Sequence, residues 1–268
     1  MHDNRPIGLF DSGLGGLTVF REVNRILPSE SVIYFGDTAH VPYGSRPTGE
    51  LIELADRIVA YLIGQGVKYI IFACNTSSAL SLAVLQQKYQ LPMLGIIEPG
   101  AAEAMRLTRN KRVGVIATVA TTKSEAYNKA LGRMDREIQV FSHAAPLLVP
   151  LVEAVEPPPD KGLAIVKESL IPWQDTGIDT LLLGCTHYPF LAEMIAGQLA
   201  SGVTLVDPAE ATVRLAAKEM AAGRLLAEAG NRPSYRFVVS GQPEDFRYKA
   251  ELLTGGLPGE VERVAIDN

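Results

Sequence analysis

Short apolar runs alternate along this chain with longer segments of mixed polarity. The runs are three to five residues long and rich in β-branched or aliphatic side chains, and they cover residues 7–10, 32–35, 69–73, 93–97, 113–117, 138–142, 180–184 and 204–206. Between two of them, residues 48–63 place leucine or isoleucine at positions 51, 54, 58 and 62, the spacing of one helix face. Short strands that alternate with helices predict βαβ units, and therefore an α/β fold with parallel sheets.

The chain also contains an internal repeat. Residues 66–76 align without gaps on residues 177–187, and the alignment places Cys74 and Cys185 at equivalent positions. Two further blocks repeat in the same order and at nearly the same offset, residues 7–12 with 113–118 and residues 97–99 with 206–208. Three blocks in one order indicate that a whole supersecondary unit is used twice.

The repeat predicts two pseudo-symmetric domains, each with a mainly parallel sheet flanked by helices. The first would comprise residues 1–98 together with the returning segment 208–268, in which residues 209–226 have a helical pattern and residues 235–240 resemble a strand. The second would comprise residues 99–207. We expect the active site in the cleft between the two domains.

Composition and charge exclude several classes of protein. The 268 residues are 47% hydrophobic and 21% charged, which is typical of a globular chain long enough for about two domains. The net charge is −5 and the longest basic run is Lys111-Arg112, so neither nucleic-acid binding nor membrane binding is expected. No apolar run approaches the ~20 residues of a membrane span, and the first residues lack the features of a secretory signal. We expect a cytoplasmic protein.

The two cysteines require a separate explanation. Two isolated thiols do not make a disulfide scaffold, and neither belongs to a Cys-x-x-Cys pair. The four histidines do not cluster in the sequence either, so a metal site is not expected. Each cysteine ends an apolar run and is followed by polar residues. A buried core position is the ordinary alternative for each thiol.

Polar side chains follow several of the predicted strands. In open parallel sheets, ligands bind at the carboxyl ends of the strands, so two domains facing each other through these ends would place Cys74 and Cys185 on opposite sides of one cleft. One thiol could then remove a proton from an acidic carbon while the other returns a proton to the opposite face. Asp11 is the candidate neighbour of Cys74, and His187 that of Cys185.

Three further segments could contact a ligand. The glycine-rich loop 11–16 departs from the nucleotide fingerprint at Thr18, but its backbone could hold a substrate carboxylate or form a simple turn. The turn 42–45 could close one wall of the cleft. Thr118, Thr121 and Thr122 could bind a second carboxylate or cap the next helix.

Taken together, the motifs resemble those of the glutamate racemases, in the aspartate/glutamate racemase superfamily. They are residues 10–16, Asp37 with 41–44, 73–76, 117–118 with Thr121, Ser124 and Tyr127, 149–153, and 184–189. The resemblance implies interconversion of L-glutamate and D-glutamate without a cofactor. It further implies that Cys74 takes the α-proton of D-glutamate with help from Asp11, and that Cys185 takes that of L-glutamate with help from His187.

The resemblance also implies the remaining site residues and partners. The implied substrate contacts are Asp11, Ser12, Pro42, Tyr43, Gly44, Asn75, Thr76, Thr118, Thr121, Thr186 and His187. Glu153, one of thirty acidic residues and a surface residue on composition alone, is implied as an acid near the catalytic residues. A homodimer that supplies D-glutamate for peptidoglycan synthesis would be typical of the family.

Two alternatives stay open at this level. A racemase of aspartate or another dicarboxylate would carry similar motifs and would differ in the size of its side-chain pocket. A protein that closes on an amino acid without reacting would belong to a different class. Such a binding protein needs no thiols on both faces of its ligand and leaves the α-proton in place.

Overall fold

The computed structural model describes residues 2–155 and 158–266. The strands are β1 (Ile7–Asp11), β2 (Val32–Gly36), β3 (Tyr69–Phe72), β4 (Met93–Gly95), β5 (Arg112–Ala117), β6 (Gln139–Ala144), β7 (Thr180–Gly184), β8 (Thr204–Val206), β9 (Tyr235–Val239) and β10 (Glu260–Arg263). The α-helices are α1 (Leu17–Ile26), α2 (Thr48–Gly64), α3 (Asn75–Leu80), α4 (Leu82–Lys88), α5 (Ile97–Leu107), α6 (Val119–Ser124), α7 (Ala126–Met134), α8 (Leu148–Glu153), α9 (Pro159–Leu170), α10 (Ala192–Ala196), α11 (Pro208–Ala222) and α12 (Pro243–Thr254).

The strands form two parallel sheets. The first has the order β10-β9-β2-β1-β3-β4 and the second the order β6-β5-β7-β8. Central strands such as β1, β3 and β7 are buried along their whole length, because helices cover both faces of a parallel sheet. The α/β fold with parallel sheets, predicted from the alternation of strands and helices, is confirmed.

Helix α2 shows how the apolar pattern produces the packing. Its four regularly spaced side chains, Leu51, Leu54, Ile58 and Leu62, are each at most 5% exposed, and they pack in one cluster with the side chains of the first sheet. Their spacing puts them on one face of the helix, so the sequence pattern and the packed face coincide.

The strand predicted at residues 93–97 is shorter than expected. It ends at Gly95, and Ile97 already begins α5. An apolar run does not distinguish a buried strand from the buried first turn of a helix, so the pattern extended the strand too far.

The chain after residue 207 returns to the first sheet. Helix α11 begins directly after Asp207, whose Oδ1 caps it by accepting a hydrogen bond from the Ala209 amide. Strand β9 then pairs with β2. The sequence did not indicate α12 or β10. Helix α12 buries only Phe246 and Ala250, and β10 is an edge strand with mostly exposed side chains, so neither leaves a strong apolar pattern. Within the described residues, no helix combines the length and the apolar character needed to cross a bilayer.

Candidate active site

A cavity of about 130 Å³ lies between the loops that follow the strands of the two sheets. Cys74 enters it from the loop after β3, and Cys185 from the loop after β7. The residues that line it are Ser12, Pro42, Tyr43, Gly44, Ser45, Cys74, Asn75, Thr76, Thr118, Val119, Pro146, Val149, Cys185, Thr186 and His187. The cavity therefore brings together the two thiols that the repeat made equivalent.

Cys74 lies in surroundings that keep its thiol protonated. Its side chain is 5% exposed and directly precedes α3. Burial, and then the negative charge of Asp11, raise the pKa of Cys74 to about 12, although hydrogen bonds from Ser77 act in the opposite direction. At neutral pH this thiol is therefore an acid with a proton to give.

Cys185 has the opposite kind of neighbour. Its Sγ lies 3.8 Å from Nδ1 of His187, and both side chains are almost completely buried. Burial by itself lowers the pKa of His187, but hydrogen bonds to Cys185 and Glu153 outweigh it and raise the pKa to about 10. His187 is therefore an imidazolium at neutral pH, and its charge stabilises negative charge on the Cys185 sulfur.

Glu153 connects this imidazolium to a lysine. Its Oε1 accepts a hydrogen bond from Nε2 of His187 at 2.9 Å, and its Oε2 lies 3.5 Å from Nζ of Lys249 on α12. Lys249 also pairs with Asp245 at 3.1 Å. Burial raises the pKa of Glu153, but the hydrogen bond and the charges of His187 and Lys249 outweigh it and lower the pKa. Charges of alternating sign thus run from α12 to the Cys185 sulfur.

The lowered pKa of Glu153 predicts how a neutral variant responds to pH. A carboxyl whose pKa is lower in the folded state stabilises the fold above its unfolded pKa, near 4.5, and loses that contribution as the pH falls through the folded pKa. Glu153→Gln should therefore lower the free energy of unfolding by about 1 kcal/mol or more at pH 7 and by less at pH 3.5. Chemical denaturation at the two pH values measures this, with the exposed Glu251→Gln on α12 as the control; an equal loss at both would contradict the assignment.

Asp11 joins the loops of the two sheets. Its Oδ2 accepts a hydrogen bond from the Gly13 amide at 2.9 Å, and its Oδ1 accepts one from the Thr186 hydroxyl at 3.2 Å. Asp11 is fully buried and acts on Cys74 through its charge. It lies behind the cavity wall and helps to hold the two loops together.

The glycine-rich loop is needed for close approach. A Cβ at Gly15 would lie 2.4 Å from Oγ1 of Thr186 and 2.5 Å from Nδ1 of His187, so any larger residue would force these side chains of the loop after β7 to move. Ser12 of the same loop lines the cavity. The absence of a side chain at Gly15 therefore allows the close contact between the loops of the two sheets.

Three threonine hydroxyls form a cluster across the cleft. The Thr76 hydroxyl lies 3.0 Å from that of Thr118 and 3.1 Å from that of Thr121, and the latter two are 3.0 Å apart. Thr118 also caps α6 by accepting a hydrogen bond from the Thr121 amide at 3.2 Å. Thr118 thus combines both roles that the sequence left open, capping a helix and facing the cleft.

The turn at residues 42–45 forms one wall of the cavity. Tyr43 donates a hydrogen bond to Oδ2 of Asp37, and Ser240 donates one to Oδ1 at 2.6 Å. Gly44 packs against Thr118, since a Cβ there would lie 2.7 Å from the Cβ of Thr118. Asp37 therefore anchors the turn from behind.

Nine of the eleven residues implied as substrate contacts line the cavity; Asp11 and Thr121 lie behind it, as does the implied acid Glu153. The sequence missed Ser45, Val119, Pro146, Val149 and Lys249. The first belongs to a turn that was singled out, and the next three carry no polar signal.

No group of three or more His, Cys, Asp or Glu side chains in residues 2–155 and 158–266 is placed to hold a metal ion.

Two parallel sheets thus face each other across a cavity that two thiols line. The family model of the Asp/Glu/hydantoin racemases matches residues 7–216. That match covers both sheets up to β8 and both cysteines. The chain belongs to the Asp/Glu/hydantoin racemase family.

Within that family, the chain is similar to several glutamate racemases. The chain is 51% identical over 266 residues to the glutamate racemase of Desulforudis audaxviator, and the alignment covers 97% of each chain. A crystal structure of a glutamate racemase isoform from Bacillus anthracis has a TM-score of 0.94 and 38% identity, with 98% of each chain covered. A glutamate racemase from Francisella tularensis in complex with D-glutamate has a TM-score of 0.91 and 36% identity, with 99% of each chain covered.

Proposed function

We propose that this protein interconverts L-glutamate and D-glutamate without a cofactor, using Cys74 and Cys185 as paired acid and base. The observation that carries the proposal is that two thiols in unlike surroundings line one cavity from two different sheets. The glutamate racemases to which the chain is similar support glutamate as the substrate.

The unlike surroundings define the roles in one direction. The Cys185 thiolate, stabilised by the His187 imidazolium, removes the α-proton of L-glutamate. The Cys74 thiol, which burial and Asp11 hold in its protonated form, gives its proton to the opposite face of the carbanion. When D-glutamate dissociates, Cys185 remains as a thiol and Cys74 as a thiolate. The same steps in reverse convert D-glutamate, or proton exchange with solvent restores the starting state.

An α-proton next to a carboxylate is a weak acid, so the cavity must stabilise the charge that develops. The donors at the cavity wall are the amides and hydroxyls of Ser12, Asn75, Thr76 and Thr186, although the Thr186 hydroxyl already donates to Asp11. A hydrogen-bond donor aimed at developing charge contributes about 3 kcal/mol to the transition state. The threonine cluster and the turn 42–45 supply further polar contacts for the second carboxylate of the substrate.

The test of substrate class is a chiral product assay with L-glutamate, D-glutamate and L-aspartate in separate reactions without added cofactor. We expect both glutamate enantiomers to approach an equal mixture, and aspartate to react at least about 100-fold more slowly, because its shorter side chain misses contacts to the second carboxylate. Faster conversion of aspartate would favour the racemase of another dicarboxylate. Binding of glutamate without conversion would favour a binding protein.

The cellular setting is part of the same proposal. The resemblance to glutamate racemases supports a homodimer in the cytoplasm that supplies D-glutamate for peptidoglycan synthesis.

The division of the strands between the sheets supports one domain formed by residues 1–98 and 208–268 and a second formed by residues 99–207.

A further inference from the structure

The side chain of Asn75 makes one hydrogen bond and leaves one end unpaired. Its Oδ1 accepts a hydrogen bond from the Tyr127 hydroxyl at 2.5 Å. Its Nδ2 has no hydrogen-bond partner among the described residues, although Asn75 is only 2% exposed. A buried amide donor without a partner is costly unless a ligand satisfies it. Asn75 lines the cavity directly after Cys74, so the substrate is the ligand within reach.

Tyr127 approaches Asn75 from the other half of the molecule. It lies on α7, which packs with the second sheet, whereas Asn75 begins α3 after a strand of the first sheet. The Tyr127 side chain is 2% exposed, and burial raises the pKa of its hydroxyl well above 10, so the hydroxyl keeps its proton and remains a donor.

Two glycines leave room for the tyrosine ring. A Cβ at Gly184, the residue before Cys185, would lie 3.0 Å from Cε2 of Tyr127. A Cβ at Gly100 on α5 would lie 3.3 Å from the Tyr127 hydroxyl oxygen and 2.7 Å from the Cβ of Pro208. The ring is therefore held closely on two sides, and its hydroxyl stays in a fixed position against Asn75.

The two ends of an amide side chain have nearly the same shape and opposite polarity. A flipped Asn75 would direct its Nδ2 at the Tyr127 oxygen and would put its Oδ1 where the unpaired Nδ2 now lies. The Tyr127 proton would then lose its acceptor, and an oxygen would face a substrate that carries two carboxylates. The hydroxyl of Tyr127 therefore determines which end of Asn75 the ligand meets.

On the basis of the proposed function, we infer that Tyr127 is a positioning residue that orients the Asn75 amide so that its N–H groups are available to a substrate carboxylate. Tyr127 acts only through Asn75. The contact also joins the two halves of the molecule next to both cysteines. The Asn75 N–H groups therefore have this orientation only when the two halves are in contact.

The test is a double-mutant cycle read out by binding. Titration with racemic glutamate, whose composition turnover does not change, gives the Kd of wild type, Tyr127→Phe, Asn75→Ala and the double variant. Tyr127→Phe should raise the Kd about 10-fold, the loss of one oriented hydrogen bond to a charged group, and should raise KM more than it lowers kcat. In the Asn75→Ala background the same change should have no further effect, because the amide it orients is gone.

Two more variants separate orientation from simple loss of stability. Tyr69→Phe removes another buried hydroxyl, one that donates to Glu219 at 2.5 Å away from the cavity lining, and should leave the Kd unchanged. Asn75→Asp keeps an acceptor for Tyr127 and removes the N–H groups, and should also weaken binding at least about 10-fold. This variant still tests the inference if Tyr127→Phe unfolds.

Wild-type affinity in Tyr127→Phe or in Asn75→Asp would overturn the inference, and so would losses that add fully in the double variant. A wild-type protein that binds glutamate and leaves its α-proton in place would refute the proposed function instead. The Kd values would still decide the role of Tyr127 in that case.

Discussion

Cys74→Ser and Cys185→Ser are each expected to lower the rate of racemisation by about 1,000-fold or more, because a serine hydroxyl is a far weaker acid than a thiol and supplies almost no anionic base at neutral pH. Serine is close to cysteine in size, so the buried sites at 5% and 6% exposure should keep their packing. The assay is chiral separation of the products from either enantiomer, with circular dichroism to confirm the fold.

The two variants should differ in the glutamate enantiomer whose α-proton they can still exchange. Cys74→Ser keeps the base on the Cys185 side, so it should still exchange the α-proton of L-glutamate with D₂O without inversion and should leave D-glutamate unchanged. Cys185→Ser should show the reverse selectivity. Racemisation near the wild-type rate in either variant would refute the assignment of one thiol to each face.

His187→Asn is expected to lower kcat/KM at pH 7 by about 100-fold, because the positive charge 3.8 Å from the Cys185 sulfur is lost. The thiol must then lose its proton without that charge, and a higher pH favours this loss. The deficit should therefore shrink between pH 7 and pH 9. A deficit that is constant with pH would indicate that His187 has only a structural role.

The equilibrium constant between two enantiomers is one, so kcat/KM must fall equally in both directions for this variant. The affected step is revealed by isotopic substitution. Proton transfer at Cys185 should become more rate-limiting, and the isotope effect with α-deuterated L-glutamate should increase more than that with α-deuterated D-glutamate. Equal changes for both enantiomers would contradict a role specific to Cys185.

The repeat explains why the centre of the site was predictable. Cys74 and Cys185 end equivalent strands, and the ends of parallel strands converge at a cleft, so their equivalence in sequence predicted that they share one cavity. Asp11 and His187 were predictable for the same reason, because each follows or ends such a strand. The sequence pattern was therefore sufficient to identify candidate site residues that lie at the carboxyl ends of the strands.

Glu153 and Lys249 show where that reasoning stops. Glu153 ends the short helix α8, and no periodicity distinguishes it from other acidic residues. Only its motif suggested an acid near the site, and the structure shows its contact with His187. Lys249 lies on α12, beyond the repeat, and reaches the site because the C-terminal segment folds back to the first sheet. Such contacts depend on long-range packing, which the spacing of residues does not encode.

Tyr127 is an intermediate case. It belongs to the motifs that resemble the family, but nothing in its neighbourhood assigns it a partner 52 residues away. Its contact with Asn75 depends on Gly184 and Gly100, which belong to two other elements. The sequence therefore identified Tyr127 as part of a motif, but its contact with Asn75 follows only from the packed structure.

The measurement that tests the two-thiol account most directly is the fate of the α-proton in D₂O, followed separately by NMR and chiral separation at early times in each direction. Two thiols on opposite faces predict that the newly formed enantiomer carries solvent deuterium while the remaining substrate keeps its protium. This pattern should hold whether the reaction begins with L-glutamate or with D-glutamate. Protium retained in the product, or deuterium entering the remaining substrate as fast as the product, would contradict the account.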